Sequence, residues 1–220
     1  MDVVRVQRAL VIMAKRPVAG AVKTRLTPFL TPQQAADLYE QMLVDTIERC
    51  GARADCTVII GVDDSSSVPY FSTIAPECRQ LEQDGETLGH RLDAVLSSCI
   101  EDGFDEAYAI GSDSPDLPAG HLTQAFELLG DADNDVVLGP TDDGGYYLIG
   151  WKRRWRQMVT EVVMSTPTVL ADTLVQADLL TARVALAPGW YDVDSAQDIG
   201  RLCAADREAA PRARRFLDAL

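Results

Sequence analysis

Short, almost uninterrupted apolar runs alternate along this chain with stretches whose apolar residues recur every three or four positions. Arg8–Met13 is nearly all apolar and predicts a buried strand. Thr31-Pro32-Gln33-Gln34 then has the form of a helix start, with Thr31 as N-cap, Pro32 in the first turn and Gln34 closing a capping box. That helix is expected to reach about Cys50, with Ala35, Leu38, Met42 and Val44 among its apolar positions. Further strands are predicted at Cys56–Val62, Arg79–Gln83, Ala107–Ile110, Asp135–Gly139 and Ala182–Leu186. Helices are predicted from Thr87 to about Ile100, Pro118 to Leu129, Thr166 to Leu180 and Ala196 to Asp206, with a last short one opened by Pro211. Tyr146–Ile149 follows a Gly-Gly break and is expected to run in a different strand direction.

Strands alternating with helices require crossovers, so the fold class is α/β with a mostly parallel sheet covered on both faces. No repeat, linker or shift in composition divides the chain, which predicts one domain over residues 1–220. In such sheets ligands bind outside the carboxyl ends of the strands, and the polar motifs of this chain fall at those ends.

Composition narrows the partners. The chain has 220 residues and a formal net charge of -14, which disfavours nucleic acid. No apolar stretch approaches the ~20 residues needed to cross a bilayer, and no signal peptide is recognised, so the expected location is cytoplasmic. Five scattered cysteines without a CxxC pair fit reduced structural thiols, and His90 and His121 lie near no cysteine pair that could make a zinc site.

Against this acidic background, four of the 20 Lys and Arg residues, Lys15, Arg16, Lys23 and Arg25, fall within positions 15–25. They flank Gly20 in a loop directly after the first strand. A cationic strand-to-helix loop suits phosphates, with a plain solvated loop as the alternative. The loop is neither a Walker A motif nor a GxGxxG fingerprint, because its required glycines are absent.

Three acidic loops follow. Gly111–Pro118 carries Asp113 and Asp116, two carboxylates able to hold a hard divalent cation; Asp116 or Ser114 could instead cap the next helix. Gly139–Tyr147 carries Asp142 and Asp143 before Gly144, Gly145 and Tyr146. Those acids could activate or bind an acceptor hydroxyl, or simply form a turn. Tyr191–Ser195 carries Asp192 and Asp194, of which one is expected to face the same site as Asp113, with Ser195 as N-cap. His90, Arg91 and Ser165-Thr166 read most simply as a surface helix residue, an ion-pair partner and a helix cap.

The ordered set MAKRPVAGAVKTRL, QDGETLGHRL, GSDSPDLP, GPTDDGGYYLIG, STPTVLADTL and YDVDSAQDI resembles the DUF2064 family over about Leu10 to Leu202. That resemblance implies the nucleotide-diphospho-sugar transferase fold of GT-A type, a single Rossmann-like three-layer sandwich. It implies nucleotide phosphates on Lys15, Lys23 and Arg25, with Arg16 and Gly20 in the same loop. It also implies Mg²⁺ or Mn²⁺ on Asp113 and Asp194, with Asp116 a further candidate whose Asp-Ser-Pro-Asp spacing departs from Asp-x-Asp.

The expected activity is a metal-dependent glycosyltransferase. Its partners would be a nucleotide-sugar or NTP donor and a small-molecule acceptor. Asp142 or Asp143 would be catalytic, orienting or deprotonating the acceptor hydroxyl, and Gly144, Gly145 and Tyr146 would line the acceptor site. The KTRL and DVDS segments also resemble guanylyltransferases that activate 2-phospholactate or phosphoenolpyruvate, making a nucleotidyltransferase the alternative. A haloacid dehalogenase-type phosphatase would need its nucleophile on the first strand, and a non-catalytic nucleotide-binding protein would bind without turnover.

Overall fold

The computed structural model describes residues 6–220. Seven strands, β1 (Arg8–Ala14), β2 (Thr57–Val62), β3 (Arg79–Glu82), β4 (Glu106–Gly111), β5 (Val136–Pro140), β6 (Tyr146–Trp151) and β7 (Val184–Leu186), form a sheet of order β3-β2-β1-β4-β6-β5-β7. Strand β6 is antiparallel to β4 and β5, while the other pairings are parallel. The reversal after the Gly-Gly break is therefore present. It brings the start of β6 to the same sheet edge as the carboxyl ends of β1, β3 and β4.

Helices α1 (Pro32–Gly51), α2 (Val68–Ile74), α3 (Leu88–Glu101), α4 (Ala119–Gly130), α5 (Arg156–Thr160), α6 (Val169–Leu179), α7 (Ala196–Ala204) and α8 (Pro211–Leu217) cover the sheet and its end. The two-residue period of β1 sorts its side chains into two cores. Leu10 and Ile12 pack with Tyr39, Leu43, Phe71 and Phe126 on one face. Ala9 and Val11 pack with Leu92, Val95, Leu96 and Trp151 on the other.

Helix α1 is apolar on two sides. Ala36, Tyr39, Leu43 and Ile47 meet the sheet, while Ala35, Leu38 and Met42 meet Tyr191, Val193 and Leu202 in a third cluster. Its predicted capping box is present: Thr31 Oγ1 accepts from the Gln34 N–H, and the Gln34 side chain accepts from the Thr31 N–H.

Three boundaries differ from the sequence pattern. Helix α2 was not expected; it follows the polar turn at 63–67 and is held by burial of Phe71. Helix α6 begins at Val169 rather than Thr166, and its N-cap is Thr168. Ser165, before it, takes a left-handed φ of 65°, which no helix continues through. Asp116 and Ser114 do not cap α4, whose N-cap position is Pro118. Ser195 does cap α7, in a reciprocal box with Asp198. Among the described residues no helix is long and apolar enough to cross a membrane.

Candidate functional site

A cavity of about 500 Å³ opens at the edge where β1, β3 and β4 end and β6 begins. Lys23 lines it, and its backbone turns left-handed at φ 47° as the chain enters a short 3₁₀ turn. Such a conformation costs of order 1 kcal/mol in a residue with a Cβ, and it persists where the side chain is held. Lys23 Nζ contacts Asp113 Oδ1 at 2.7 Å, Asp194 Oδ1 at 2.8 Å and the Val193 carbonyl at 2.8 Å. Its three protons thus meet three acceptors. Burial alone would lower its pKa, but the charges of Asp113 and Asp194 outweigh that and hold it well above the usual lysine range.

The acidic segments are joined by the Val193 N–H, which donates to the Asp113 carbonyl at 2.8 Å. Only one of Asp192 and Asp194 was expected to face this place, yet both line the cavity. Residues two apart on an extended chain share a face, so Tyr191 and Val193 turn into the core while both aspartates turn outward. Asp192 Oδ1 accepts from Ser114 Oγ at 2.7 Å. Burial, and then the neighbouring charge of Asp113, push its carboxyl up to about 6. Asp194 is also penalised by burial, but Lys23 and Arg25 outweigh that and hold it below the usual carboxylate range.

Among the described residues no group of three or more His, Cys, Asp and Glu forms a ready-made metal cage. The physical reason is Lys23, whose ammonium bridges Asp113 and Asp194. Carboxylate oxygens are the donor type that hard divalent cations take. Two carboxylates, Asp113 and Asp194, meet one buried ammonium, and Asp192 lines the same cavity beside them.

Around this centre, Lys15 and Arg25 line the cavity with Lys23, as the cationic loop predicts. Arg16 and Gly20 do not; Arg16 is exposed to solvent and Gly20 serves a turn at φ 80° with open space beside it. The loop is tied down by Tyr39, whose ring packs in the core against the sheet. Tyr39 Oη accepts from the Lys15 N–H at 3.0 Å and lies 2.9 Å from Ser112 Oγ. Ser112 Oγ donates to the Met13 carbonyl at 3.3 Å, so the phenol supplies the proton between the two hydroxyls.

Asp116 is a correction to the expected metal set. It is 3 % exposed, and its two oxygens accept from Trp190 Nε1 at 3.3 Å and Tyr191 Oη at 2.5 Å. It is a buried hub beneath the site, with no reach to the cavity. Asp142 and Asp143 also lie outside the cavity lining. Asp142 pairs with Arg201 at 2.7 Å, and Asp143 Oδ1 accepts from Thr141 Oγ1 and the Gly145 N–H. Asp142 is thus paired with a residue of α7, and Asp143 is bonded within its own turn.

Gly144 needs its missing side chain, because at φ 90° a Cβ would sit 1.9 Å from the Pro167 carbonyl. Gly144 and Gly145 stay outside the cavity, whereas Tyr146 lines it. Gln83, Arg91 and Ser165 line it as well, and the sequence marked none of them for the site. Arg91 Nε donates to the Gly85 carbonyl at 3.0 Å, tethering the loop before α3, so it is no ion-pair partner there. The positive φ of Ser165 could not be read from its residue type.

Comparison with known proteins places this architecture. A crystal structure of a proposed nucleotide-diphospho-sugar transferase from Desulfovibrio desulfuricans G20 is similar at TM-score 0.88 and 26% identity, covering 96% of this chain and 94% of that one. A 4-diphosphocytidyl-2C-methyl-D-erythritol synthase shares the fold at TM-score 0.56 and 15% identity, over 92% of this chain and 100% of that one. Among curated proteins, a 2-phospho-L-lactate guanylyltransferase of Methanothermobacter thermautotrophicus is 27% identical over 124 residues. That alignment covers 56% of this chain and spans about half of the relative, 53%. The family profile described as "Uncharacterized protein conserved in bacteria (DUF2064)" matches residues 46–166, more than half of the chain, and the chain belongs to this family.

Proposed function

We propose that this chain is a metal-dependent nucleotidyltransferase, joining an NTP to a small phosphorylated acid with release of pyrophosphate. The observation that carries the reading is the buried Lys23 ammonium between Asp113 and Asp194 at the strand ends, with Asp192 beside them. Lys15 and Arg25 would bind and orient the triphosphate, offsetting the charge that builds on the leaving pyrophosphate, while Lys23 would hold Asp113 and Asp194 in place beneath it. Asp113, Asp192 and Asp194 would hold Mg²⁺ or Mn²⁺, which supplies Lewis-acid neutralisation of phosphate oxygens when bound.

This order reverses the expectation from sequence, where glycosyl transfer came first because Asp142 and Asp143 could activate a hydroxyl. Both are engaged away from the cavity. A phosphate acceptor needs no such base, since its oxygen is already anionic. The similarity to 2-phospho-L-lactate guanylyltransferases supports the same reading. Glycosyl transfer remains the second reading on one observation, the 26% identity and full-length likeness to the Desulfovibrio nucleotide-diphospho-sugar transferase.

The deciding assay supplies each NTP with Mg²⁺ and 2-phospho-L-lactate or phosphoenolpyruvate and measures pyrophosphate. Acceptor-dependent release that disappears in Asp113→Ala is the expected result. Cleavage of a nucleotide-sugar without pyrophosphate would establish the second reading instead.

A further inference from the structure

Gln83, at the end of β3, is 7 % exposed, and its side chain reaches back across β2 to β1. Its Nε2 donates to the Gly61 carbonyl at 2.7 Å and to the Ala14 carbonyl at 3.1 Å. Its own N–H donates to the Val62 carbonyl at 2.9 Å, so backbone and side chain are both pinned. The orientation of the amide is therefore decided: rotated the other way, its oxygen would face two carbonyl oxygens. With both Nε2 protons spent on protein acceptors, Gln83 has only Oε1 left to offer, and Oε1 accepts no hydrogen bond from the described residues. Gln83 nevertheless lines the cavity, as do the apolar side chains of Met13, Leu88 and Leu92.

A fixed carbonyl oxygen repels phosphate and carboxylate oxygens, so Gln83 itself suits neither the triphosphate nor an anionic acceptor, although Lys15 and Arg91 line the same cavity. It suits a flat, largely apolar ring that carries an N–H donor. Resting on the nucleotide reading above, we infer that Gln83 is a specificity-determining residue that reads the nucleobase, its locked Oε1 accepting a hydrogen bond from an exocyclic amino group. Guanine, adenine and cytosine carry such a group. A base that presents a carbonyl at that point sets two acceptors face to face, and each loses a partner on leaving water. Discrimination then comes from an unpaired polar atom rather than from fit, which is the more effective way to reject an analogue.

The test is calorimetric titration of the full chain, with Mg²⁺ present, against GTP, ATP, CTP, UTP and ITP. The expected result is that an amino-bearing nucleotide binds best, and that its counterpart lacking the amino group (UTP for CTP, ITP for ATP or GTP) binds about tenfold weaker or worse. In Gln83→Met, of similar length but without the carbonyl, that difference should collapse to about twofold. The wild-type comparison reads the carbonyl even if the variant folds poorly. Equal binding of all five nucleotides, or a preference kept in a folded Gln83→Met, overturns the assignment of Gln83 and leaves the nucleotide site standing. No binding of any nucleotide overturns the nucleotide reading, and the base assignment with it.

Discussion

Lys23 and Asp113 lie ninety positions apart, and their side chains meet at 2.7 Å with the lysine side chain 4 % exposed. The contact joins the loop after β1 to the loop after β4, two strands that are hydrogen-bonded neighbours in parallel. Adjacent parallel strands deliver their following loops to one edge of the sheet. A cation on one loop and an anion on the next are therefore placed to pair. Asp194 joins from a third segment, so one ammonium organises both carboxylates.

Lys23→Met should remove the charge that these aspartates share. Breaking a fully buried pair costs about 3–5 kcal/mol, but the carboxylates are partly open to water, so a loss of about 1–3 kcal/mol is expected in urea unfolding. Triphosphate binding should be lost in the same variant. Unchanged stability with unchanged binding would show that Lys23 organises nothing.

Asp192 makes stability depend on pH in a predictable direction. Its ordinary value is 3.8 and its folded value about 6, so between these the native state holds a proton that the unfolded chain has released. Stability therefore falls as pH rises through that window, and the penalty is complete above it. With chelator present, Asp192→Asn should be about 1–2 kcal/mol more stable than the parent at pH 8 and indistinguishable near pH 4. A pH-independent difference would contradict a buried, repelled carboxylate.

Tyr39→Phe removes the hydroxyl that holds the Lys15 N–H and Ser112 while leaving the ring in its core. The expected loss is about 1–2 kcal/mol in thermal or urea unfolding, since two polar groups lose a partner. Triphosphate affinity should weaken by several-fold, because the cationic loop is no longer anchored. Binding that stays at the parental value would assign Tyr39 to packing alone.

Asp116 and Asp142 should separate from Asp113 in opposite ways. Asp116→Ala leaves Trp190 and Tyr191 without acceptors and should cost about 2–4 kcal/mol, with Mg²⁺-dependent nucleotide binding retained below the new melting point. Asp142→Asn breaks only an exposed pair with Arg201 and should change stability by less than about 1 kcal/mol and turnover hardly at all. A large drop in turnover for Asp142→Asn would restore its acceptor role.

The sequence by itself determined the elements and much of their consequence. Hydrophobic period and caps are local, so β1, the Thr31 capping box, β4, the Ser195 cap and the reversal at β6 were all readable, and with them the α/β class. The concentration of Lys15, Lys23 and Arg25 beside one strand end was readable for the same reason, because charge per segment needs no third dimension. Residue type cannot say which way a loop side chain turns or what it meets, and there tertiary structure decided. It sent Asp116 inward beneath two aromatic side chains, tied Asp142 to Arg201, and placed both Asp192 and Asp194 on the cavity by burying Tyr191 and Val193. It also made Tyr39 and Gln83 the anchor and wall of the site. Their hydrogen-bond partners are supplied by strands distant in sequence, and only the assembled sheet brings those strands together.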